Sequence, residues 1–359
     1  MTTAPVPAGA RGASLAVPSR IGRAGWLAVA GVASLFVVLI GGIVLGSADL
    51  APATTVGILA KRLLGVDLGQ TWAPTAEAIV MDLRLPRVLT AMVVGTGLAI
   101  AGATFQGLLR NPLADPYVLG TASGAALGAA IAVLIPVRTL FLQFGLLHAL
   151  AFAGALLSVT VVYKLSRTSP LSPLTSLLLT GYAVGSLLSA GLAMAMYLSG
   201  TGLRQIFSYL LGGFDGTNWA RLAVAAPLIL GGSLAILMRA RALNGFLLGE
   251  EAAAHLGVDV KKERTILLAL ASLVTAAGVA IAGLIGFVGL VVPHLVRLLV
   301  GPNARLVLPI SALFGASLLA AADVVARLLG GVPVGVVTAV IGAPFFLALL
   351  RRARTGYEL

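Results

Sequence analysis

Few side chains in this sequence could carry out chemistry. The chain has 359 residues, no cysteine, three histidines and 12 acidic residues. Thiolate metal sites, disulfides and a cysteine nucleophile are therefore excluded. We find no paired carboxylates, no nucleophile–base arrangement and no Gly-x-x-x-x-Gly-Lys-Ser/Thr phosphate loop in the sequence. The sequence predicts that the chain is not an enzyme, binds no metal or cofactor of its own, and leaves any ATP hydrolysis to a separate subunit.

One acidic residue and the arginines near it are the exceptions in an apolar sequence. Asp323 lies inside an apolar run, and an acid within a membrane span is by default a candidate for function. Arg327 follows four residues later, a spacing that allows an ion pair on one face of a helix. The sequence leaves two interpretations of Asp323 open, the lining of a pathway or the pairing with Arg327.

The elements that position these residues are predicted to be membrane-spanning helices. Hydrophobic residues make up 59% of the chain and charged residues only 10%, whereas soluble domains have about 45–50% and 25%. This composition excludes a disordered chain and indicates an all-α integral membrane protein surrounded by lipid. The net charge of +12 is attributed to cytoplasmic loops, which collect Lys and Arg, and not to nucleic-acid binding.

Charge-free runs predict ten membrane-spanning helices, since each needs about 20 apolar residues. One run, Thr265–Val296, is too long for a single span, and its glycines predict two helices that meet at a tight turn near Gly286. The runs are Ala24–Ala48, Val88–Leu109, Tyr117–Val137, Thr139–Tyr163, Thr168–Leu203, Leu222–Met238, Thr265–Val296, Leu306–Ala322 and Leu328–Leu350.

Basic clusters at both ends of the chain predict its orientation. Arginines precede the first run and follow the last one, so both termini are expected in the cytoplasm, which requires an even number of spans. We divide the chain into a disordered cytoplasmic tail (1–24), a ten-helix domain (25–352) and a cytoplasmic C-terminal tail (353–359). The first apolar run is longer than the core of a signal peptide, which disfavours cleavage.

Two loops are predicted to contain short helices. The outer loop Asp49–Arg87 has an interfacial helix around Val56–Leu64. The inner loop, about 244–263, has a helix over Leu248–Gly257 with acids in its first turn and a glycine to cap its end. A helix in a cytoplasmic loop needs a surface to pack on, which indicates a protein partner. The alternative, a helix lying flat on the membrane, is disfavoured because its polar face is acidic.

Several longer motifs resemble the FecCD-type permease family of bacterial iron-chelate and vitamin B12 importers. They are Arg84-Leu85-Pro86-Arg87, Gly102–Gly107, Arg110–Pro116, Gly286–Arg297 and Pro333–Phe346. The resemblance implies the type II ABC importer permease architecture: a second permease protomer (expected to be identical), two ATP-binding cassette subunits that hold ATP and Mg, and a periplasmic or lipid-anchored substrate-binding protein. It also implies a bacterial cytoplasmic (inner) membrane.

The resemblance also implies roles for individual residues. Arginines near the outer ends of spans would receive acidic residues of the binding protein, although arginines that snorkel to the interface are the alternative. Turns at the inner ends would form a cytoplasmic gate, and the acidic inner helix would couple to the ATPase. The docking residues are Arg84, Arg87 and Arg327. The gate residues are Asn111, Pro112, Leu113, Leu174 and Thr175. The coupling residues are Gly249, Glu250, Glu251, His255, Leu256 and Gly257.

The predicted function is the permease of an ATP-driven importer for a metal chelate, with an iron-siderophore or haem as first choice and cobalamin as second. An ion-coupled secondary transporter is disfavoured, because it would need several buried ionisable residues and Asp323 is nearly alone within the spans.

Overall fold

The computed structural model describes residues 20–46, 48, 50–135, 145–167 and 173–355. That part of the chain is helical and contains no strand. In chain order the helices are α1 (Arg20–Val44), α2 (Pro52–Leu64), α3 (Pro74–Leu108), α4 (Thr121–Leu134), α5 (Gly145–Ser166), α6 (Pro173–Leu198), α7 (Leu203–Leu211), α8 (Trp219–Met238), α9 (Ala240–Leu247), α10 (Glu250–His255), α11 (Val260–Ala282), α12 (Val288–Val300), α13 (Ala304–Leu328) and α14 (Val334–Thr355).

The apolar helices coincide with the predicted spans. Within the described ranges, seven helices are long and apolar enough to cross a membrane, namely α1, α3, α5, α6, α8, α11 and α13. Three shorter apolar helices, α4, α12 and the first part of α14, lie at the remaining predicted positions. The all-helical membrane fold is therefore confirmed, while the count of ten crossings and the side of each terminus stay predictions.

Helix α3 lies at the centre of the bundle. In the most apolar 18-residue stretch of α3, 83% of the residues are buried, whereas the corresponding value for α6 is 11%. Helix α3 packs on α8, α11, α12 and α13. Small residues allow this close approach. A Cβ atom added at Gly95 would lie 2.3 Å from the carbonyl oxygen of Gly315 on α13, so the two backbones are in direct contact.

The beginning of α3 differs from the sequence prediction. The charge-free run begins at Val88, but the helix begins at Pro74 and passes through a π-helical segment, Ile79–Arg84. Because Pro86 has no backbone N–H, it cannot donate the regular i to i−4 hydrogen bond of an α-helix. The wider π-helical turns lie just before this position. Arg84 and Arg87 consequently lie on a continuous helix and not in a loop at its mouth.

The predicted break between α11 and α12 is present over residues 283–287, and its positive backbone angles lie on both sides of Gly286. Gly283 has φ +69° and would place a Cβ atom 2.2 Å from the carbonyl oxygen of Tyr209, so only glycine fits there. The next helix begins after Phe287, which also has a φ of +69°. Gly286, where the sequence places the turn, is not among the residues with positive φ.

The ends of the described chain refine the predicted tails. Helix α1 begins at Arg20, so the last residues of the tail predicted over 1–24 are helical, and 1–19 lie outside the described residues. Helix α14 continues to Thr355, into the tail predicted over 353–359. The short helix predicted in the first long loop is confirmed as α2, which includes the whole of Val56–Leu64, while its position at the outer interface stays a prediction.

Candidate docking, gate and coupling sites

Arg84 and Arg327 cap the end of α1. We call this end of the bundle, where α1 ends and α3 begins, the outer end, following the predicted topology. Both side chains are almost fully buried, at 5% and 9% exposure. The last carbonyls of a helix lack partners within it and carry the negative end of its dipole, so cations are favoured there. At 2.8–2.9 Å the two guanidinium groups donate to the carbonyls of Gly42, Ile43, Val44 and Leu45.

Asp323 on α13 is the buried counter-ion of this cluster. Its side chain is fully buried, and its carboxylate accepts hydrogen bonds from Nε of Arg87 at 2.9 and 3.1 Å. Nε of Arg327 lies 3.1 Å from Asp323 Oδ2, which confirms the pair expected from their spacing. A buried carboxylate needs such partners, because water cannot solvate it. Asp323 therefore pairs with arginines and has no surface exposed to a pathway in this chain.

Arg87 has a second acidic partner on a different segment. Its Nη1 donates to Oδ1 of Asp215 at 2.8 Å, in the loop between α7 and α8. The Asp215 side chain is 81% exposed, whereas that of Arg87 is 20% exposed. Arg87 thus joins a buried acid on one side to a solvated acid on the other.

The three predicted docking arginines surround one cavity of about 400 Å³ at the outer end, together with Gly46, Leu83 and Phe214. The structure therefore brings Arg84, Arg87 and Arg327 together from two distant parts of the chain. Two of them already use their guanidinium groups to cap α1, and Arg87 is the one with a solvated partner. Their role in docking a binding protein stays a prediction.

The inner helix predicted for coupling is present as α10. Gly249 precedes it with φ +107°, and Gly257 follows it with φ +80° and donates its N–H to the carbonyl of Ala254. Ala253 is fully buried, and its Cβ lies near Gly245 of α9. Glu250 forms an ion pair with Arg264 of α11. These contacts fix α10 to the helices on both sides of it.

The outward face of α10 remains uncovered in this chain. Glu251 and His255 are exposed, and Leu248 and Leu256 beside the helix are 67% and 66% exposed. Large apolar side chains rimmed by polar ones are typical of a surface that binds another protein. This arrangement is consistent with the predicted coupling role, which stays a prediction.

Comparison with known proteins assigns the family. The FecCD transport family matches residues 34–352, which is most of the chain. This chain belongs to the FecCD transport family. It is accordingly a multi-pass membrane permease subunit of an ABC importer, and ATP is hydrolysed by a separate subunit.

Named relatives and a solved structure agree with this family. The chain is 46% identical to the cobalamin import permease of Halobacterium salinarum, over 84% of this chain and 79% of that one. It is 43% identical to the hemin transport permease of Yersinia pestis, over 76% and 83% of the two chains. A solved inward-facing ABC transporter, described as of metal-chelate type, superposes with a TM-score of 0.79 at 31% identity, covering 91% of this chain and 99% of that one.

The predicted gate of this FecCD permease is described only in part. Asn111 and Pro112 are exposed at the inner end of α3, and Asn111 Oδ1 accepts the backbone N–H of Leu113 at 2.9 Å. This local bond shapes the turn. Thr175 is exposed near the beginning of α6, and the side chain of Leu174 lies outside the described residues. The gate role of all five residues stays a prediction.

Three polar contacts inside the permease, made by Gln106 and Tyr117, were not predicted. Gln106 on α3 donates to the carbonyl of Leu290 at 3.0 Å and accepts from Nη1 of Arg297 at 2.8 Å. The hydroxyl of Tyr117 donates to the carbonyl of Ile285 at 2.9 Å, within the break between α11 and α12. Gln106, Tyr117 and Arg297 were visible as polar residues in apolar motifs, but the sequence does not indicate what they contact.

A metal site is not indicated in the described ranges, where no three His, Cys, Asp or Glu side chains lie close enough together to bind an ion.

Proposed function

We propose that this FecCD permease imports a metal chelate across the cytoplasmic membrane of a bacterial cell. The proposal rests on two different surfaces at opposite ends of α3, one lined by arginines and the other acidic and apolar. Arg87 and its cavity lie at one end, and Gly107 at the other end contacts Leu243 of α9, next to α10. At about 1.5 Å per residue these ends are separated by about 30 Å, the thickness of a hydrocarbon core.

Each surface suits one partner of an importer. The arginine cavity at the outer end presents cations to a substrate-binding protein with acidic side chains. Helix α10, which is held against α9 and α11, presents an acidic and apolar face to the ATP-binding subunit. In this mechanism the binding protein delivers the chelate, closure of the ATPase moves α10, and the permease alternates its access between the two sides.

A second copy of the permease is part of the proposal. Helix α6 is the least buried of the long apolar helices, and it exposes large side chains such as Tyr182, Leu187 and Tyr197 at 72–85%. A helix this apolar and this uncovered faces lipid or another protein. We propose that this exposed face of α6 contacts an identical protomer, so that two copies enclose the pathway.

For the cargo we keep an iron-siderophore or haem as first candidate. The hemin permease of Yersinia pestis, at 43% identity, supports this choice. Cobalamin is the second candidate, and the halobacterial cobalamin permease, at 46% identity, supports it.

Uptake measurements separate the cargoes. The complete importer in proteoliposomes is offered haem, a ferric siderophore and cobalamin in parallel, with the same external concentration of each. The proposal expects haem or the ferric siderophore to be concentrated inside, and uptake of cobalamin alone would move the assignment to the second candidate. Failure to import any chelate, with the other subunits present and active, would contradict the proposal.

Replacing Leu256 by glutamate tests the inner surface. Leu256 is 66% exposed beside α10, so the change should leave the fold intact but place a charge in the contact with the ATPase. The variant loses a central apolar contact and buries a carboxylate in its place. ATPase binding should therefore weaken at least about tenfold. Copurification of the ATPase and stimulated ATP hydrolysis measure the effect. The control is Leu63→Glu on α2, which is 58% exposed at the other end, and equal behaviour of the two variants would reject the coupling role.

A further inference from the structure

Arg87 donates to two carboxylates, one of which is buried while the other is exposed to solvent. Nε and Nη2 point to the fully buried Asp323, and Nη1 points to Asp215, whose side chain is 81% exposed. An arginine has five N–H donors in a rigid fork, so a carboxylate that arrives from outside cannot use the edge that Asp323 already occupies. The edge left for an incoming carboxylate is the one formed by Nη1 and the second N–H of Nη2, and Asp215 now occupies its Nη1 side.

The bond to Asp215 is of the kind that exchanges readily. Ion pairs between solvent-accessible groups contribute little, because water competes for both charges. The bond to Asp323 is protected, since removing one partner would leave a charge buried and unpaired. Arg87 can therefore keep Asp323 throughout and trade Asp215 for another acid.

A second cation lies next to the segment that carries Asp215. The half-buried guanidinium of Arg221, on α8, has no hydrogen bond to any of the residues that the structure describes, and its Nε is fully enclosed. A Cβ atom added at Gly216, the neighbour of Asp215, would lie 3.3 Å from Nη1 of Arg221. Asp215 and Arg221 both line a cavity of about 230 Å³, with Gln205 and Ser208.

We propose that Asp215 is an exchangeable counter-ion: it occupies Nη1 of Arg87 in the free permease and turns to Arg221 when a carboxylate of the outer partner takes its place. Without this movement, the incoming acid would meet two carboxylates of the same sign around one arginine. The inference rests on the proposed function, in which the arginine cavity receives an acidic binding protein. The inference adds two residues to that function: Asp215, which sets the affinity of Arg87 for the binding protein, and Arg221, which receives the displaced carboxylate of Asp215.

The test measures binding of a dye-labelled hexaglutamate peptide to the permease in nanodiscs. Asp215→Asn removes the competing carboxylate, and Asp82→Asn is the matched control. Asp82 is an exposed acid at the same end of α3, without an ion pair among the described residues. Both variants raise the net charge equally. Asp215→Asn is expected to bind the peptide about two- to fivefold more tightly than Asp82→Asn. Equal affinities would overturn the proposal.

The role of Arg221 is tested in the same assay. Arg221→Gln should weaken peptide binding clearly more in the wild-type background than in the Asp215→Asn background, where no charge needs to be received. Arg221→Lys should retain most of the affinity in both backgrounds. Equal losses for Arg221→Gln in the two backgrounds would show a general charge effect and reject the exchange.

A further variant separates this inference from the function on which it rests. Arg87→Gln should remove the difference between Asp215→Asn and Asp82→Asn, and a difference that persists would place the effect elsewhere and overturn the exchange. The peptide assay needs neither the ATPase nor the binding protein. If the peptide results are as expected but a purified binding protein fails to bind the permease, the proposed function fails while the exchange stands.

Discussion

Replacing Asp323 by alanine is expected to destabilise the folded permease by about 3–5 kcal/mol, the usual cost of removing one partner from a buried ion pair. Asp323 is fully buried and accepts from Arg87, with Arg327 at 3.1 Å. Without the carboxylate, the buried Arg327 keeps, among the described residues, only the backbone carbonyls of α1 as partners, and Arg87 keeps only the exposed Asp215. The Nε atoms that face Asp323 thus lose their acceptor in a buried site. The free energy of unfolding in mixed micelles, measured by denaturant titration, checks the size of the effect.

The control for this change is Asp82→Ala, because Asp82 is an exposed acid on the same helix as Arg87. Surface changes of this kind usually stay within about 0.5 kcal/mol. A second variant, Asp323→Asn, keeps the shape of the side chain but removes its charge, and it should lie between the other two. If Asp323→Ala were as stable as the control, the central place of Asp323 in the arginine cluster would be wrong.

Replacing Gly102 by alanine is expected to push α3 and α12 apart. A Cβ atom at this position would lie 1.8 Å from the carbonyl oxygen of Gly289, far inside contact distance, and the obstacle is backbone that no rotamer change can move. Overpacking typically costs about 1–3 kcal/mol, and we expect the upper end or more for a backbone clash. Thermal unfolding in detergent and the yield of folded protein measure the loss.

The matched control is Gly278→Ala on α11. Its Cβ atom would lie 3.6 Å from Cγ1 of Val94, an ordinary contact on the same central helix. Alanine is favoured over glycine inside a helix by about 0.5–1 kcal/mol. Gly278→Ala should therefore leave the stability unchanged or raise it. Equal behaviour of the two variants would show that the close approach of α3 and α12 is not important for stability.

Much of the fold could be predicted because membrane spans follow from local composition. The apolar runs, the split between α11 and α12 and the short inner helix are each encoded within a few neighbouring residues. The cap at Gly257 is an example, since a glycine after a helical pattern indicates a left-handed residue there, and its φ is +80°. Local signals of this kind do not depend on what the rest of the chain does.

The arginine cluster could be predicted only as a set of residues. Arg87 and Asp323 are separated by 236 positions, and the sequence pattern does not pair them. The sequence places Arg84 and Arg327 facing an outer partner, but it cannot show that both side chains reach the carbonyls at the end of α1. The early beginning of α3 was missed for a similar reason, because the charges near Arg84 are typical of a loop until their internal partners are known.

Energy coupling is the most direct test of the whole account. Purified permease, its ATP-binding subunit and a chelate-loaded binding protein are reconstituted in proteoliposomes, and uptake of the chelate is followed with and without ATP. We expect uptake to require ATP and to stop when the phosphate-loop lysine of the ATP-binding subunit is replaced by alanine. Uptake that continues without ATP and is driven by a proton gradient would contradict the account.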